Sequence, residues 1–303
     1  MAIRGVDRVV LSVEEMDAAK RFLGDFGLTQ VEKGAKGATF EALDGTDLVL
    51  RDSGDRSLPM AVGAATNARE IIWGVDDAEQ LQKIGAELSK DRQLMLGSDG
   101  ILRTTDNTGY GIAFQVTTRH SYDAKPALAN AAGVPPVRPK NQRVDFSAPH
   151  RPRSIGHIVL WVPDLDRARD FYTERLGFRL TDSYRNRSCF LRAEGSNDHH
   201  NLFLIKKDDI PGGLHHIEFH VGDFNEVMMG GRRLTEKGWK TYVGPGRHTL
   251  GSNYFWYFKT PCGGAMELAC DMDYADDDWE AREWEYSDDV IAAWCTSYTL
   301  YGH

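Results

Sequence analysis

Two histidines and one glutamate in the second half of the chain have the residue types and the spacing of a metal site. His157 and His216 are each the third residue of a similar apolar segment, IGHIVLWV and LHHIEFHV, and Glu267 lies in a later segment, GGAMELAC. Two imidazoles and one carboxylate on one face of an octahedron are typical of non-haem Fe(II) sites that use dioxygen, because three coordination positions stay open. We therefore predict that His157, His216 and Glu267 bind a divalent metal.

The alternation of side chains along a strand places these candidates on polar or small-residue faces. His216 shares its face with Glu218 and His220, whereas His215 points to the opposite face. A lone histidine in a strand is more often structural than a ligand, and it is the joint occurrence at repeated positions that favours a metal. His215 and His220 are interpreted as structural, with His220 as the spare group of the site cavity.

The elements that must position these residues come from an internal repeat. VDRVVLSVEEMDAAKRFLGDFGL, from residue 6, aligns with IGHIVLWVPDLDRARDFYTERLGF, from residue 155, and AREIIWGV, from residue 68, aligns with LHHIEFHV. Each copy reads as an apolar strand, a capping turn, an amphipathic helix and further strands. The aligned positions of the first half lack the ligand set, since they carry Arg8 for His157, Glu70 for His216 and Ala113 for Glu267.

These repeats predict an α+β fold of two domains, each built from paired βαβββ modules whose strands curl into an open barrel with the helices outside. The expected bounds are 1–118 for a non-catalytic domain, 119–153 for a linker, 154–274 for the catalytic domain and 275–303 for a C-terminal tail. The linker is expected to run over the surface with at most a short helix at 127–132, and to expose its histidines. The acidic, tryptophan-rich tail predicts a solvated helix anchored by tryptophans rather than a lid.

Several motifs together make the second half resemble a known family. They are GHIVLWVPDLDRARDFYTERLGF, the pair His199-His200, GLHHIEFHV, GPGRHTLGSNYFWYF and TPCGGAMELA, all within residues 155–274. This region is similar to the type I extradiol ring-cleaving dioxygenases of the vicinal oxygen chelate superfamily, the group that contains the catechol 2,3-dioxygenases and the 2,3-dihydroxybiphenyl 1,2-dioxygenases. The likeness extends more weakly through the first half, as the same four-module plan.

The resemblance implies an Fe(II) enzyme, with manganese as the alternative ion, that opens the ring of a catechol beside its two hydroxyls and inserts both atoms of O2. It also implies a homo-oligomer that acts in the degradation of aromatic compounds. Under the resemblance, the three candidate ligands match the iron ligands of the family. His200 matches its acid/base histidine, His248 and Tyr257 match its substrate-contacting pair, and Val159 and Phe190 fall where the family lines its ring pocket.

Alternatives remain at the level of the residues. TLGSN after His248, and Lys259-Thr260, depart from the usual residues of the family, so the substrate stays open. A glyoxalase- or epimerase-like enzyme of the same superfamily would use the metal without consuming dioxygen. It would require a fourth protein ligand, and the strand NLFLIKK, from residue 201, supplies no carboxylate. A non-enzymatic protein that sequesters a small molecule would leave the aligned ligands without a purpose.

Composition narrows the class of protein. The 303 residues suit two domains, and the formal net charge of -9 argues against a nucleic-acid partner. No run approaches the roughly 18 consecutive apolar residues that cross a membrane, and the N-terminus has no signal-peptide core. The four cysteines lack metal-site spacing, so reduced thiols in a cytoplasmic enzyme are expected.

Overall fold

Four βαβββ modules follow one another in the computed structural model, which describes residues 2–34, 37–63, 67–124 and 129–297. The first contains β1 (Ile3–Val13), α1 (Met16–Asp25), β2 (Thr29–Gly34), β3 (Gly37–Glu41) and β4 (Asp47–Asp52). The second contains β5 (Ala68–Val75), α2 (Ala78–Leu88), β6 (Met95–Leu96), β7 (Leu102–Thr105) and β8 (Gly111–Val116).

The second half repeats this order and adds a C-terminal segment. The third module contains β9 (Ser154–Val162), α3 (Leu165–Asp170) with a following π-helical turn (Phe171–Arg175), β10 (Arg179–Tyr184), β11 (Ser188–Arg192) and β12 (Leu202–Lys206). The fourth contains β13 (Gly213–His220), α4 (Phe224–Glu236), β14 (Thr241–His248), β15 (Tyr254–Lys259) and β16 (Ala265–Cys270). The chain then forms β17 (Arg282–Trp284), α5 (Asp288–Ile291) and β18 (Ala292–Cys295).

Each half forms one sheet in which the first strands of its two modules pair antiparallel at the centre. The strand order is β2-β3-β4-β1-β5-β8-β7-β6 in the first sheet and β17-β10-β11-β12-β9-β13-β16-β15-β14-β18 in the second. Strand β12 runs parallel to β9, and β16 runs parallel to β13, so the two modules of the second half are related by a pseudo-twofold axis. The predicted α+β architecture is confirmed.

Three of the described helices begin after an aspartate that caps them. The side chains of Asp77, Asp164 and Asp223 accept hydrogen bonds from backbone N–H groups in the first turns of α2, α3 and α4. Such caps satisfy donors that the helix itself leaves unpaired. The buried faces of the helices pack on the apolar sides of the sheets, which leaves the other side of each central strand for polar groups. No helix among the described residues is both long and apolar enough to span a bilayer.

The C-terminal segment differs from the sequence-based expectation. Instead of the predicted solvated helix, β17 pairs with β10 at one edge of the second sheet and β18 pairs with β14 at the other edge. An open sheet edge presents unpaired backbone donors and acceptors, and an extended segment can satisfy them whereas a helix cannot. Apart from the four-residue α5, the helix predicted for the tail was therefore wrong, and the segment pairs with both edge strands of the sheet.

The linker runs without helix or strand through its described residues, in line with the prediction of at most a short helix, and residues 127–128 lie outside the described part. Its exposure was mispredicted at one position. His120 is exposed, but His150 is buried with 6% of its surface accessible, and its ring Nε2 lies 3.1 Å from the carbonyl oxygen of Phe26. The ring packs against Gly230 of α4, where a Cβ atom would collide with it. His303 lies outside the described residues.

His150 therefore makes stability depend on pH. Burial lowers its pKa from 6.5 to about 4, so the unfolded chain takes up the proton before the folded chain does. The contribution of the neutral His150 ring to the unfolding free energy is present above pH 6.5 and is lost as the pH falls toward 4. The His150→Gln variant keeps an N–H donor for Phe26. Between pH 7 and 4.5, the unfolding free energy of the metal-free wild type should fall by ~2–3 kcal/mol more than that of metal-free His150→Gln. Urea denaturation measures this, and parallel curves for the two proteins would contradict it.

Candidate active site

Three buried side chains from the central strands of the second sheet converge at one point. His157 lies on β9, His216 on its antiparallel neighbour β13, and Glu267 on β16. The two histidine Nε2 atoms are 3.1 Å apart, and Glu267 Oε2 lies 3.6 Å from His157 Nε2 and 3.2 Å from His216 Nε2. Ligands about 2.1 Å from one ion and at right angles are about 3 Å apart, so the three atoms fit one face of an octahedron.

The burial of these groups fits a bound cation. Glu267 has no accessible surface, and its Oε2 atom has no hydrogen-bond partner among the described residues. Burial raises the pKa of Glu267 to about 8 and lowers the pKa of His216 to about 3. Burial and the neighbouring histidines lower the pKa of His157 well below its ordinary value. Neutral imidazoles and a carboxyl whose proton a metal can displace form a donor set for a divalent ion.

The position that could supply a fourth protein ligand carries a phenylalanine. Phe203 of β12 pairs with Val159 of β9, just as Glu267 of β16 pairs with Glu218 of β13. Phe203 is therefore the counterpart of Glu267 under the pseudo-twofold axis, and its ring stacks on Phe190 with centroids 4.0 Å apart. Within the part of the chain that the structure describes, no carboxylate closes the side of the three-residue cluster that faces Phe203.

His200 borders the cluster and is held by a chain of buried polar groups. Its ring centroid is 4.2 Å from that of His157, and its Nδ1 atom lies 3.1 Å from Nδ1 of His199. His199 in turn places Nε2 2.8 Å from Asp182 Oδ2, and the other oxygen of Asp182 accepts a hydrogen bond from the indole of Trp284 in β17. Strand register alone left His199 and His200 interchangeable, and the structure turns His200 to the cavity and His199 to Asp182.

His248 and Tyr257 form a second polar pair beside the cluster. His248 Nε2 lies 2.9 Å from the Tyr257 hydroxyl oxygen, and His248 Nδ1 lies 3.0 Å from the carbonyl oxygen of Ile291. A carbonyl only accepts, so Nδ1 carries the proton. Burial lowers the pKa of His248 to about 4, so the ring is neutral and its Nε2 is an acceptor beside the Tyr257 hydroxyl, which also hydrogen-bonds the side chain of Glu267. His248 ends strand β14 rather than lying in a turn.

A cavity of about 370 Å³ opens on this cluster and is mostly apolar. Phe190 lines it, as do His200, His248 and Tyr257. Val159 does not line it, which corrects its predicted role in substrate contact. Val159 is fully buried and pairs with His216 on the neighbouring strand. Trp161, two residues further along β9 on the same face, has a larger ring that reaches the cavity.

Two buried groups near the cluster were not assigned a role from the sequence. Asn253 donates from its side-chain amide to Glu267 Oε1 over 3.3 Å, and its backbone carbonyl oxygen accepts from the backbone N–H of His248. Glu218 has no accessible surface and lies behind His157, away from the cavity. The alternation of β13 places Glu218 on the same face as His216, and that signal could have identified it.

His220 was expected to be the spare group of the cavity, and this was wrong, because it does not line the cavity and instead lies beside Glu218 and Asp198. Burial alone would lower the pKa of His220, but the two carboxylates outweigh burial and raise it well above its ordinary value. His215 packs edge-to-face on Trp161 and places Nδ1 2.6 Å from Nδ1 of His216, so it lies beside the cluster.

The C-terminal segment contributes to this site, which gives a further prediction. Tyr286 and Ile291 line the cavity, and the carbonyl of Ile291 fixes the His248 ring. Ending the chain after residue 281 should therefore lower kcat/KM about 100-fold, because the polar pair loses its orientation and the cavity loses one wall. Metal content should stay at the wild-type level, since the three converging residues lie upstream. Unchanged kcat/KM in a folded truncated chain would contradict this role.

Comparisons with known proteins agree with this geometry. The family model described as Glyoxalase/Bleomycin resistance protein/Dioxygenase superfamily matches residues 154–268. The chain is 31% identical to Metapyrocatechase 2 of Cupriavidus necator over 297 residues, which are 95% of this chain and 88% of that protein. It is 29% identical over 163 residues to the iron-dependent extradiol dioxygenase of Rhodococcus jostii (strain RHA1), covering 50% of this chain and 51% of that protein.

Among solved structures, the Mn(II)-bound glyoxalase from Novosphingobium aromaticivorans shares the fold. The TM-score is 0.75 at 24% sequence identity, with 97% of this chain and 91% of that chain covered. The family resemblance predicted from the motifs is confirmed by the alignment with the metapyrocatechase, which extends along nearly the whole chain. The chain belongs to the extradiol ring-cleaving dioxygenases of the Glyoxalase/Bleomycin resistance protein/Dioxygenase superfamily.

Proposed function

We propose that this protein is an Fe(II)-dependent extradiol dioxygenase that cleaves the ring of a catecholic substrate and inserts both atoms of O2, in the degradation of aromatic compounds. The observation that carries the proposal is the cluster of His157, His216 and Glu267, whose open side faces an apolar cavity. An ion held by three protein atoms retains positions for two substrate oxygens and for dioxygen.

The bound iron would bring the catechol and dioxygen together and pass charge between them. The protein groups around it would bind and orient the ring and move protons. Burial, followed by the neighbouring histidines, lowers the pKa of His200 well below its ordinary value, so its ring is neutral and can accept a proton from a substrate hydroxyl. Asp182 acts through His199 to hold this ring in place.

Tyr257 would contact the substrate on the other side. Its hydroxyl lies within hydrogen-bonding distance of His248 Nε2 and also bonds Glu267, and its proton can turn to a substrate oxygen that carries developing negative charge. His248 keeps Nδ1 bound to the carbonyl of Ile291, so its Nε2 remains an acceptor. Phe190 and Phe203 would exclude water from one wall of the cavity and pack against the ring of the substrate.

Two other functions differ from this one in observable ways. A glyoxalase- or epimerase-like isomerase would turn over its substrate with the metal but without taking up oxygen, and Phe203 at the symmetric position counts against it because that class needs a fourth protein ligand. A sequestering protein would bind its ligand equally well after metal removal. That function does not explain three ligand atoms within 4.8 Å of one another.

A direct test loads the metal-free protein with Fe(II) anaerobically, adds catechol and then admits air. The proposal predicts a yellow ring-opened product and one O2 consumed for each catechol. Loading with Mn(II) in parallel identifies the more active ion. Metal-dependent turnover without oxygen uptake, or binding indifferent to metal removal, would support one of the other two functions. A cytoplasmic location and a homo-oligomeric state are part of the proposal, and light scattering after gel filtration tests the latter.

A further inference from the structure

Glu218 is a fully buried carboxylate that the reaction described above does not use. Its Oε2 atom lies 3.5 Å from Nδ1 of His157, the ring nitrogen that points away from the cluster. Its Oε1 atom lies 3.1 Å from Nδ1 of His220, and His220 Nε2 lies 3.5 Å from Asp198 Oδ2. The four side chains thus form a row that ends at the back of one of the three converging residues.

The surrounding backbone leaves space for this row. A Cβ atom on Gly156 would collide with Glu218 Oε2 and with the His220 ring, so only glycine at this position allows the carboxylate to reach His157. In the first half, the glycine and the polar side chain that fills this space occupy the opposite strands. There the counterparts of Gly156 and His220 are Asp7 and Gly74, and a Cβ on Gly74 would collide with the Asp7 carboxylate.

Two further counterparts show that the row is confined to the half with the cluster. Ile72 takes the position of Glu218, since it pairs with Arg8 as Glu218 pairs with His157. Arg8 forms an ion pair with Asp47. A buried carboxylate costs free energy unless a charged or hydrogen-bonding group compensates it. The half without the cluster carries an apolar residue where the half with the cluster carries Glu218.

We propose that Glu218 is a positioning residue for the metal, which holds His157 with its proton on Nδ1 and its Nε2 lone pair directed at the ion. The inference rests on the proposed function in one respect, that His157 is a ligand. A carboxylate behind a ligating histidine fixes the tautomer and the ring orientation, and it raises the basicity of the ligating nitrogen. His220 holds the second oxygen of Glu218 and keeps the carboxylate from turning away from His157.

The test measures metal affinity rather than turnover. Metal-free wild type, Glu218→Gln and Glu218→Ile are titrated with Co(II) against a chromophoric chelator, and urea denaturation of the metal-free proteins is measured in parallel. Glutamine keeps the shape without the charge, and isoleucine is the residue of the first half. Both variants should bind Co(II) about 10–100-fold more weakly than wild type. The metal-free Glu218→Ile variant should be as stable as wild type or more stable, because a buried charge is removed.

The matched control is Glu70→Gln. Glu70 is also a buried carboxylate on a central strand, but it lies in the first half and pairs with Arg103. Its substitution should leave Co(II) affinity within about twofold of wild type. Co(II) affinity unchanged in both Glu218 variants would overturn the proposal, as would lower stability with intact affinity, which marks a structural role. If the wild type itself bound no Co(II), the proposed function would fail as well. If only the variants bound Co(II) weakly and the wild type cleaved no ring, the role of Glu218 would be supported and the proposed reaction refuted.

Discussion

His216→Ala is expected to leave the protein folded and without bound iron. The substitution removes one of three ligands, and the remaining His157 and Glu267 would hold a divalent ion far more weakly. Ring cleavage should fall by at least about 1,000-fold, because the metal brings both reactants together. Iron content after anaerobic loading and gel filtration, with turnover measured on the same samples, tests this expectation.

His120→Ala is the matched control for this variant. His120 is an exposed linker histidine, and its replacement should leave iron content and turnover at the wild-type level. The circular dichroism spectra of both variants should match that of wild type, since the apolar core is untouched. A His216→Ala protein that retains one tightly bound iron per chain would contradict the assignment of His216 as a ligand.

His200→Gln is expected to separate metal binding from catalysis. The His200 ring lies against the His157 ring but offers no atom to the three-residue cluster, so the variant should retain its iron. Glutamine cannot serve as a base at neutral pH, so kcat should fall about 100-fold to 10,000-fold, which is the range for loss of a general acid–base group. Single-turnover kinetics at saturating catechol measure this effect.

The change in KM distinguishes the role of His200 further. A residue that moves a proton lowers kcat when it is lost, whereas a residue that only shapes the cavity raises KM. We therefore expect a KM within a few-fold of wild type for His200→Gln. Loss of iron from this variant, or a large rise in KM with kcat unchanged, would overturn the role proposed for His200.

The alternation of polar and apolar residues along the central strands was sufficient to predict the converging cluster. A strand has only two faces, so the positions of His216 and Glu267 in their strands predicted the face on which each side chain lies. The repeat that relates His216 to His157 predicted the same face for His157. The same reasoning predicted that the strand from residue 201 would leave one side open. Its register places Phe203 at the position that corresponds to Glu267.

Residues outside regular strands were harder to predict. His199 and His200 precede β12 in a loop, where the alternation of strand side chains does not apply. The buried Asp182 lies 2.8 Å from the ring of His199, and the ring of His200 turns inward. Val159 has the right parity, but whether a side chain reaches a cavity depends on the size of its neighbours. Here the larger ring of Trp161 reaches the cavity and Val159 does not.

The C-terminal segment shows a second limit of sequence-based prediction. Its strands β17 and β18 are three and four residues long, too short for a periodic pattern, and their acidic and tryptophan residues are compatible with helix or strand. Their conformation is decided by the sheet edges at β10 and β14, which lie far away in sequence. The backbone contact between Ile291 and His248 follows from that pairing, so no residue type could reveal it.

Anomalous diffraction at the iron edge from anaerobically loaded crystals locates the ion and its ligands. We expect one iron peak in the second half of each chain, bonded to Nε2 of His157, Nε2 of His216 and one carboxylate oxygen of Glu267, with no other protein atom as a ligand. A peak elsewhere, or an ion at this place closed by a fourth protein ligand, would contradict it.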